Sequence, residues 1–342
     1  MPATDTPSCA AARASARLAF VRGAVGASGA TLEAASADAS ARSYWRVRGV
    51  DESVIVMDAP PGSGDLDAWL DVDARLRGVG LNAPEVLARD RARGFLLLSD
   101  LGTRPYLSEL DDASADALYA DAMDALLTMQ ARIDPAGLPR YDEPLLVREL
   151  ELLPAWFLQR HLGIFIECDE WDVIEVAFRL LVENALRQPQ VFVHRDFHSR
   201  NLMRVPAHNP GIVDFQDAVS GPVTYDLVSL LRDCYIDWDA ARVRGWSEAH
   251  RRRLVEAGTL DPRVAGARWQ RWFDLTGLQR HLKVLGIFCR LWYRDGKRGY
   301  LADLPRVWRY VQDIASAYPE LHDFLALLQR WVGGRDLTGP AA

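Results

Sequence analysis

The sequence predicts an α+β protein of two lobes, a small β-rich N-terminal lobe over residues 1–102 and a larger α-helical lobe over residues 103–342. Two patterns carry that expectation. Short β-branched and aromatic runs, bounded by glycine and proline, end near residue 102, and apolar residues then recur every three to four positions. With 342 residues, 49% of them hydrophobic, the chain can bury a sizeable core.

In chain order, YWRVRGV and SVIVMDAPP read as adjacent strands joined by a turn near Gly49 to Ser53, and Pro60, Pro61 and Gly62 stop the second. DLDAWLDVDARLRGVG then spaces Leu66, Trp69, Leu70, Val72 and Leu76 as an amphipathic helix does. VLARD and GFLLLSDLG return to strand-like runs, and LGT at 101–103 marks the lobe boundary. Beyond it, Leu118, Ala122, Leu126, Met129 and Ile133 define a helix with one buried face. Residues 170–188 read as another helix, with Asp169 as its cap and Pro189 as its stop. VFVH and GIVDF are short strands, TYDLVSLLRDCYI a buried helix, and the last third carries long helical faces whose aromatics belong in the core. No internal repeat or long low-complexity linker interrupts the pattern. Two lobes of this kind make the cleft between them the first place to look for chemistry.

Composition narrows the function. Forty basic against 47 acidic residues give a net charge of -7, which does not indicate a duplex nucleic-acid footprint but allows a small positive cleft for phosphates. Cys9, Cys168, Cys234 and Cys289 are scattered without a CxxC or zinc spacing, as in a reducing cytoplasm. The N-terminus lacks a continuous apolar h-region, and no apolar run reaches the roughly 20 residues that span a bilayer. The expectation is a cytoplasmic protein with no membrane, nucleic-acid or obligate protein partner. HExxH, GxSxG, Walker and Rossmann patterns are absent, and Gly62 and Gly64 read as a turn.

One constellation stands out. Asp196 and Asn201 lie five positions apart in HRDFHSRNL, and Asp214 follows in GIVDF, so strand, loop and returning strand deliver two carboxylates and an amide. Phosphoryl transfer requires that mixture: one carboxylate to orient or deprotonate a hydroxyl, and oxygen ligands to hold Mg²⁺ on nucleotide phosphates. Asp196 is the candidate base, with Asn201 and Asp214 the candidate ligands of Mg²⁺ and, through it, of ATP. His194 and His198 are four apart, but their intervening sequence and loop setting do not suit a zinc pair.

VHRDFHSRNLM followed by IVDFQDA resembles the catalytic and metal-binding segments of the aminoglycoside phosphotransferase-like branch of the protein-kinase-like fold. The resemblance implies a bilobal protein-kinase-like α+β fold. It puts His194, Arg195 and Asp196 at the catalytic HRD position, Asn201 at the magnesium asparagine and Asp214 at the start of the DFG-type segment. Gln216 stands where protein kinases have glycine. Asp226 resembles the buried acid that ties the catalytic loop to the large lobe, while His198 and Arg200 could face substrate, phosphate or neighbouring loop groups. DASARSYWRV resembles the family's small-residue phosphate hairpin, making Ser40 and Ser43 phosphate donors. LLLSDLG, with Asp100, resembles the nucleotide-facing hinge. Met57 occupies the position where the family commonly carries a phosphate-pairing lysine, and Arg46 is one candidate to replace part of its charge.

Taken together, ARSYWRV, VMDAPP, GFLLLSDLG, HRDFHSRNLM and GIVDFQDAVSGPVTYDL resemble the anomeric amino-sugar kinases of that family over about residues 15 to 330. That likeness implies ATP-dependent phosphorylation of the 1-hydroxyl of N-acetylmuramate or N-acetylglucosamine in cell-wall recycling. Alternatives are another small-molecule kinase, such as one acting on aminoglycosides, and a nucleotide-binding regulatory module without turnover. Arg160, His161, Arg280, His281 and Arg290 are candidate acceptor contacts, whereas Trp156, Phe157, Trp292 and Tyr293 are expected in the core.

Overall fold

A computed structural model describes residues 7–35, 42–62 and 66–339. The chain forms two compact units, Met1–Arg104 with Met203–Gln216, and Pro105–Leu202 with Asp217–Ala342.

The first unit opens with helix α1 (Pro7–Val25), then strands β1 (Thr31–Ala34), β2 (Ser43–Arg48) and β3 (Val54–Asp58), helix α2 (Leu66–Gly78), and strands β4 (Val86–Asp90) and β5 (Phe95–Ser99). The strands form one antiparallel sheet in the order β1-β2-β3-β5-β4. Neither α1 nor β1 stands out in the sequence. Alanine and arginine favour helix intrinsically, but α1 shows no regular apolar stripe. It contributes Val21 to a core with Ala30, Val47, Val54, Val56 and Leu97. Alternation explains β2 less well than pairing does: Met57 on β3 lies between Tyr44 and Leu96 and is fully buried. The β4–β5 turn requires Gly94, whose φ is +74° and where a Cβ would lie 1.9 Å from the Ala59 carbonyl oxygen.

The second unit is mostly helical. It contains α3 (Ala115–Arg132), α4 (Glu143–Leu150), a π-helical stretch Leu153–His161 and α5 (Cys168–Leu186) before β6 (Gln190–Val193). The chain leaves the unit within β7 (Leu202–Met203), and β8 (Gly211–Ile212) belongs to the first unit. The second resumes with β9 (Val219–Pro222), which pairs with β6, then α6 (Tyr225–Leu231), α7 (Ala240–Glu256), α8 (Gly266–Asp295), α9 (Leu304–Ser316) and α10 (His322–Val332). Leu118, Ala122, Leu126, Met129 and Ile133 are all buried, as their spacing requires. The cap of α5 is Glu167 rather than Asp169: Glu167 is extended and shares a capping box with Glu170, which places Asp169 inside the first turn. GIVDF is strand only over Gly211–Ile212, so Asp214 stands beyond it.

Helix α8 organises this unit, with 17 of its 30 residues buried. Gly286 lets it approach closely, since a Cβ there would sit 2.2 Å from the Leu152 carbonyl oxygen. Cys234 and Cys289 are buried, Cys168 is exposed, and all three are free thiols. No described helix is long and apolar enough to cross a membrane.

Candidate active site

The segment after β6 is a loop held from outside itself. Arg195 has a left-handed backbone, φ 77°, a conformation that costs a non-glycine residue about 1–3 kcal/mol unless its surroundings fix it. Asp226, fully buried on α6, fixes it by accepting from the backbone N–H groups of His194 at 2.6 Å and Arg195 at 2.9 Å. Burial raises the Asp226 carboxyl to about 7 despite those two bonds. A second buried acid, Asp233, accepts from the Ser199 backbone at 2.9 Å and from its hydroxyl at 2.5 Å. Between these clamps the loop closes on itself. The Asp196 backbone N–H donates to His194 Nδ1 at 3.3 Å, His198 donates its backbone N–H to the Asp196 carbonyl at 3.0 Å, and Asn201 Nδ2 donates to that same carbonyl at 3.0 Å.

Asp196 and Asn201 are thus brought together, and the charges around Asp196 are positive. Burial pushes its carboxyl up, but Lys283 above all, with Arg280 and Arg195, outweighs it, and the net displacement is downward. The source is a buried network in which one carboxylate serves two cations. Glu149 pairs with Arg195 and, at 2.8 Å, with Lys283, and it also accepts from the Tyr141 hydroxyl. Lys283 donates in turn to the Tyr225 hydroxyl at 3.2 Å. Two cations against one anion leave surplus positive charge, which keeps Asp196 ionised, the form a base or hydroxyl-orienting group requires.

In the first unit, Asp214 is exposed, has φ 64°, and accepts from Gln216 Nε2 at 2.9 Å. Its neighbour Phe215 is buried against Trp69 of α2, with ring centroids 5.0 Å apart, which anchors the segment without using the carboxylate. An amide oxygen from Asn201 and a carboxylate from Asp214 are hard ligands of the kind Mg²⁺ takes alongside phosphate and water. Among the described residues no group of three or more His, Cys, Asp or Glu could hold a metal.

The nucleotide-side candidates fare differently. Ser40 lies outside the described residues. Ser43 starts β2, and its hydroxyl accepts from Trp45 Nε1 at 2.9 Å. Both Asp100 oxygens are engaged, by Arg46 at 2.6 and 3.1 Å, the Ser53 hydroxyl at 2.5 Å and the Gly102 backbone at 2.9 Å. Burial alone would raise the Asp100 carboxyl, and these bonds bring it below its ordinary value. Arg46 also donates to the Gly102 carbonyl at 3.1 Å, so its charge is spent on the 96–102 segment. The chain's two lysines are Lys283 and Lys297, so the first unit has none to stand in for Met57.

Of the acceptor candidates, Arg280 is brought toward Asp196. It is 4% exposed, its Nη1 lies 3.4 Å from Cys234 Sγ, and its Nε has no hydrogen-bond partner. His161 is bonded to the Tyr293 hydroxyl and the Leu337 carbonyl, and His281 to the Arg232 carbonyl while stacking on Tyr310, so both have structural roles. Arg160 is exposed over Tyr293, and Arg290 is half-buried. Phe157 is buried, as expected, while Trp156, Trp292 and Tyr293 are half-buried. Glu149, Asp233 and Lys283 escaped sequence reasoning. A signal for Lys283 existed: one of two lysines in an arginine-rich chain sits midway along an apolar helix.

A loop with an oriented carboxylate and amide, a separate exposed acid, and a β-rich unit preceding a helical one are features that phosphoryl transfer calls for. The description "Phosphotransferase enzyme family" matches residues 31–273, and the chain belongs to that family. An N-acetylmuramate/N-acetylglucosamine kinase of Pseudomonas aeruginosa is 46% identical over 301 residues, covering 87% of this chain and 88% of its own. The Neisseria meningitidis protein of the same name is 39% identical, covering 90% and 92%. Two solved structures share the fold: an ADP-bound aminoglycoside phosphotransferase APH(2'')-Ib (TM-score 0.58, 14% identity, 86% of this chain and 97% of that one), and a choline/ethanolamine kinase family protein from Mesorhizobium loti (TM-score 0.61, 15%, 94% and 99%).

Proposed function

We propose that the protein transfers the γ-phosphoryl group of ATP to the anomeric 1-hydroxyl of N-acetylmuramate and N-acetylglucosamine, a cytoplasmic step in reusing cell-wall sugars. The reaction class rests on the clamped, ionised Asp196, and the acceptor on the relatives at 39–46% identity. Asp196 would accept a hydrogen bond from the sugar hydroxyl, orient it for in-line attack and take its proton as the new P–O bond forms. Asn201 and Asp214 are the residues assigned to Mg²⁺, which when bound offsets negative charge on the phosphates. Ser40 and Ser43 are assigned to phosphate. The bonds made by Asp100 support a role in shaping the 96–102 segment for the nucleotide.

The cations around Asp196 also bear on the rival acceptor. Lys283, Arg280 and Arg195 would repel a polycationic aminoglycoside and favour a neutral or anionic sugar. Incubating the protein with ATP, Mg²⁺ and a panel of both acetylated sugars and aminoglycosides, read by phosphorus NMR and mass spectrometry, tests this. A sugar 1-phosphate is expected. Phosphorylation confined to aminoglycosides, or nucleotide binding without turnover, would overturn the assignment.

A further inference from the structure

Arg200 sits in the catalytic loop between Asp196 and Asn201, exposed, and makes no hydrogen bond or ion pair with any described residue. It is nevertheless not a loose surface arginine. Its guanidinium lies 3.5 Å from the centroid of the Tyr235 ring and 5.7 Å from that of Tyr300. Those rings are themselves braced: Phe288 stacks on Tyr235 and contacts Tyr300, and the His198 ring meets Tyr235 edge-on at 5.5 Å. The neighbouring acid Asp303 is taken by Arg306, at 2.9 Å, and Arg306 is further held by the Cys234 carbonyl. Stacking uses the face of a guanidinium and leaves its N–H edge open, the edge that binds a carboxylate in a two-point fork.

We propose that Arg200, seated on Tyr235, is the specificity residue that binds the lactyl carboxylate of N-acetylmuramate, the group N-acetylglucosamine lacks. This rests on the proposed sugar-kinase function. Exposure is what selects Arg200 over Arg280. A buried arginine that relied on the substrate for its counter-charge would be left uncompensated by a sugar without a carboxylate, which is costly. An exposed arginine returns to water at little cost, so one site can accept both sugars and still favour the anionic one.

The test is steady-state kinetics on both sugars with the wild-type protein, Arg200→Gln and Arg200→Lys. Because both sugars are measured on each protein, any general loss of fold cancels in the ratio. For Arg200→Gln, kcat/KM for N-acetylmuramate should fall about tenfold further than kcat/KM for N-acetylglucosamine, chiefly through KM. Arg200→Lys should recover part of the difference. Raising the salt concentration should lower the wild-type preference more than that of Arg200→Gln. Equal losses on the two sugars, or a defect confined to the KM for ATP, would overturn the assignment of Arg200 alone. A wild-type protein inactive on both sugars would instead overturn the functional reading beneath it.

Discussion

The two segments that bear the assigned acidic residues are held in opposite ways. In the helical unit, the loop carrying Asp196 is fixed by carboxylates remote in sequence: Asp226 and Asp233 on its backbone and Ser199, and Glu149 on Arg195. In the β-rich unit, Asp214 is exposed and bonded two residues along the chain by Gln216, with Phe215 packed beside it. A group that must aim a hydroxyl benefits from a preset direction, because misplacement is felt directly in the rate. A carboxylate assigned to a metal can be drawn into place by the ion it binds.

The sharpest way to break that contrast is to remove each carboxylate in turn. Asp196→Asn keeps shape and loses charge and basicity, so kcat should drop by roughly a thousandfold while nucleotide affinity stays close to wild type. Asp214→Asn should act chiefly through a raised Mg²⁺ requirement and weaker Mg²⁺-dependent nucleotide binding, read by titrating the metal at fixed ATP. Equal kinetic signatures from the two variants would erase the distinction.

Asp233 tests whether remote anchoring matters. It is 1% exposed, and one of its oxygens accepts both bonds from Ser199 while the other accepts from the Tyr235 backbone N–H at 3.2 Å; asparagine has one acceptor oxygen and presents N–H groups on the other side. Asp233→Asn should reduce kcat about tenfold, as one or two kcal/mol of loop positioning is lost, with KM for ATP little changed. Ser199→Ala, which removes only the hydroxyl bond, should do less. If both variants keep full kcat, the loop is held well enough by Asp226 alone.

The sequence discloses these two segments unequally because local spacing and long-range packing leave different traces. Asp196, Asn201 and Asp214 could be singled out because strand, loop and strand are contiguous and the chemistry calls for different residue types at short intervals. The anchors could not. Glu149 lies 46 residues before Arg195, and Lys283 is on a helix whose apolar face gave no cause to expect an ion pair inside it. Helix α1 was invisible for the opposite reason: alanine-rich propensity leaves no periodic stripe to detect. Asp100 shows a third limit. Its place in LLLSDLG could be read, but not that Arg46, Ser53 and Gly102 use both its oxygens. A boundary drawn along the chain also says nothing of how Met203–Gln216 clusters with the first 104 residues.

The smallest expected effect on the rate accompanies a test of stability, which asks how far the buried polar support of the helical unit extends. His250 is fully buried; its Nε2 meets Gln130 Oε1 at 2.9 Å, while Gln130 Nε2 donates to the Val223 carbonyl at 2.8 Å, just before α6 and Asp226. With Gln130 Oε1 as the acceptor, His250 must carry its proton on Nε2, and its buried Nδ1 has no hydrogen-bond partner. Adding a second proton would bury a charge and an unpaired N–H. Burial, with some help from Arg253, accordingly lowers the His250 pKa to about 3. The unfolded chain binds that proton near pH 6.5, so the stabilising contribution is complete above pH 6.5 and is lost as pH falls toward 3. In that window His250 should add up to about 1.4 kcal/mol per pH unit to the slope of unfolding free energy. His250→Gln preserves a donor for Gln130 and removes the titration, so it should unfold with a shallower pH dependence than wild type in urea titrations between pH 4 and 7. Parallel pH curves for the two proteins would mean that His250 is protonated in the folded state. The neutral His250–Gln130–Val223 chain would then have to be abandoned as part of the support beneath the catalytic loop.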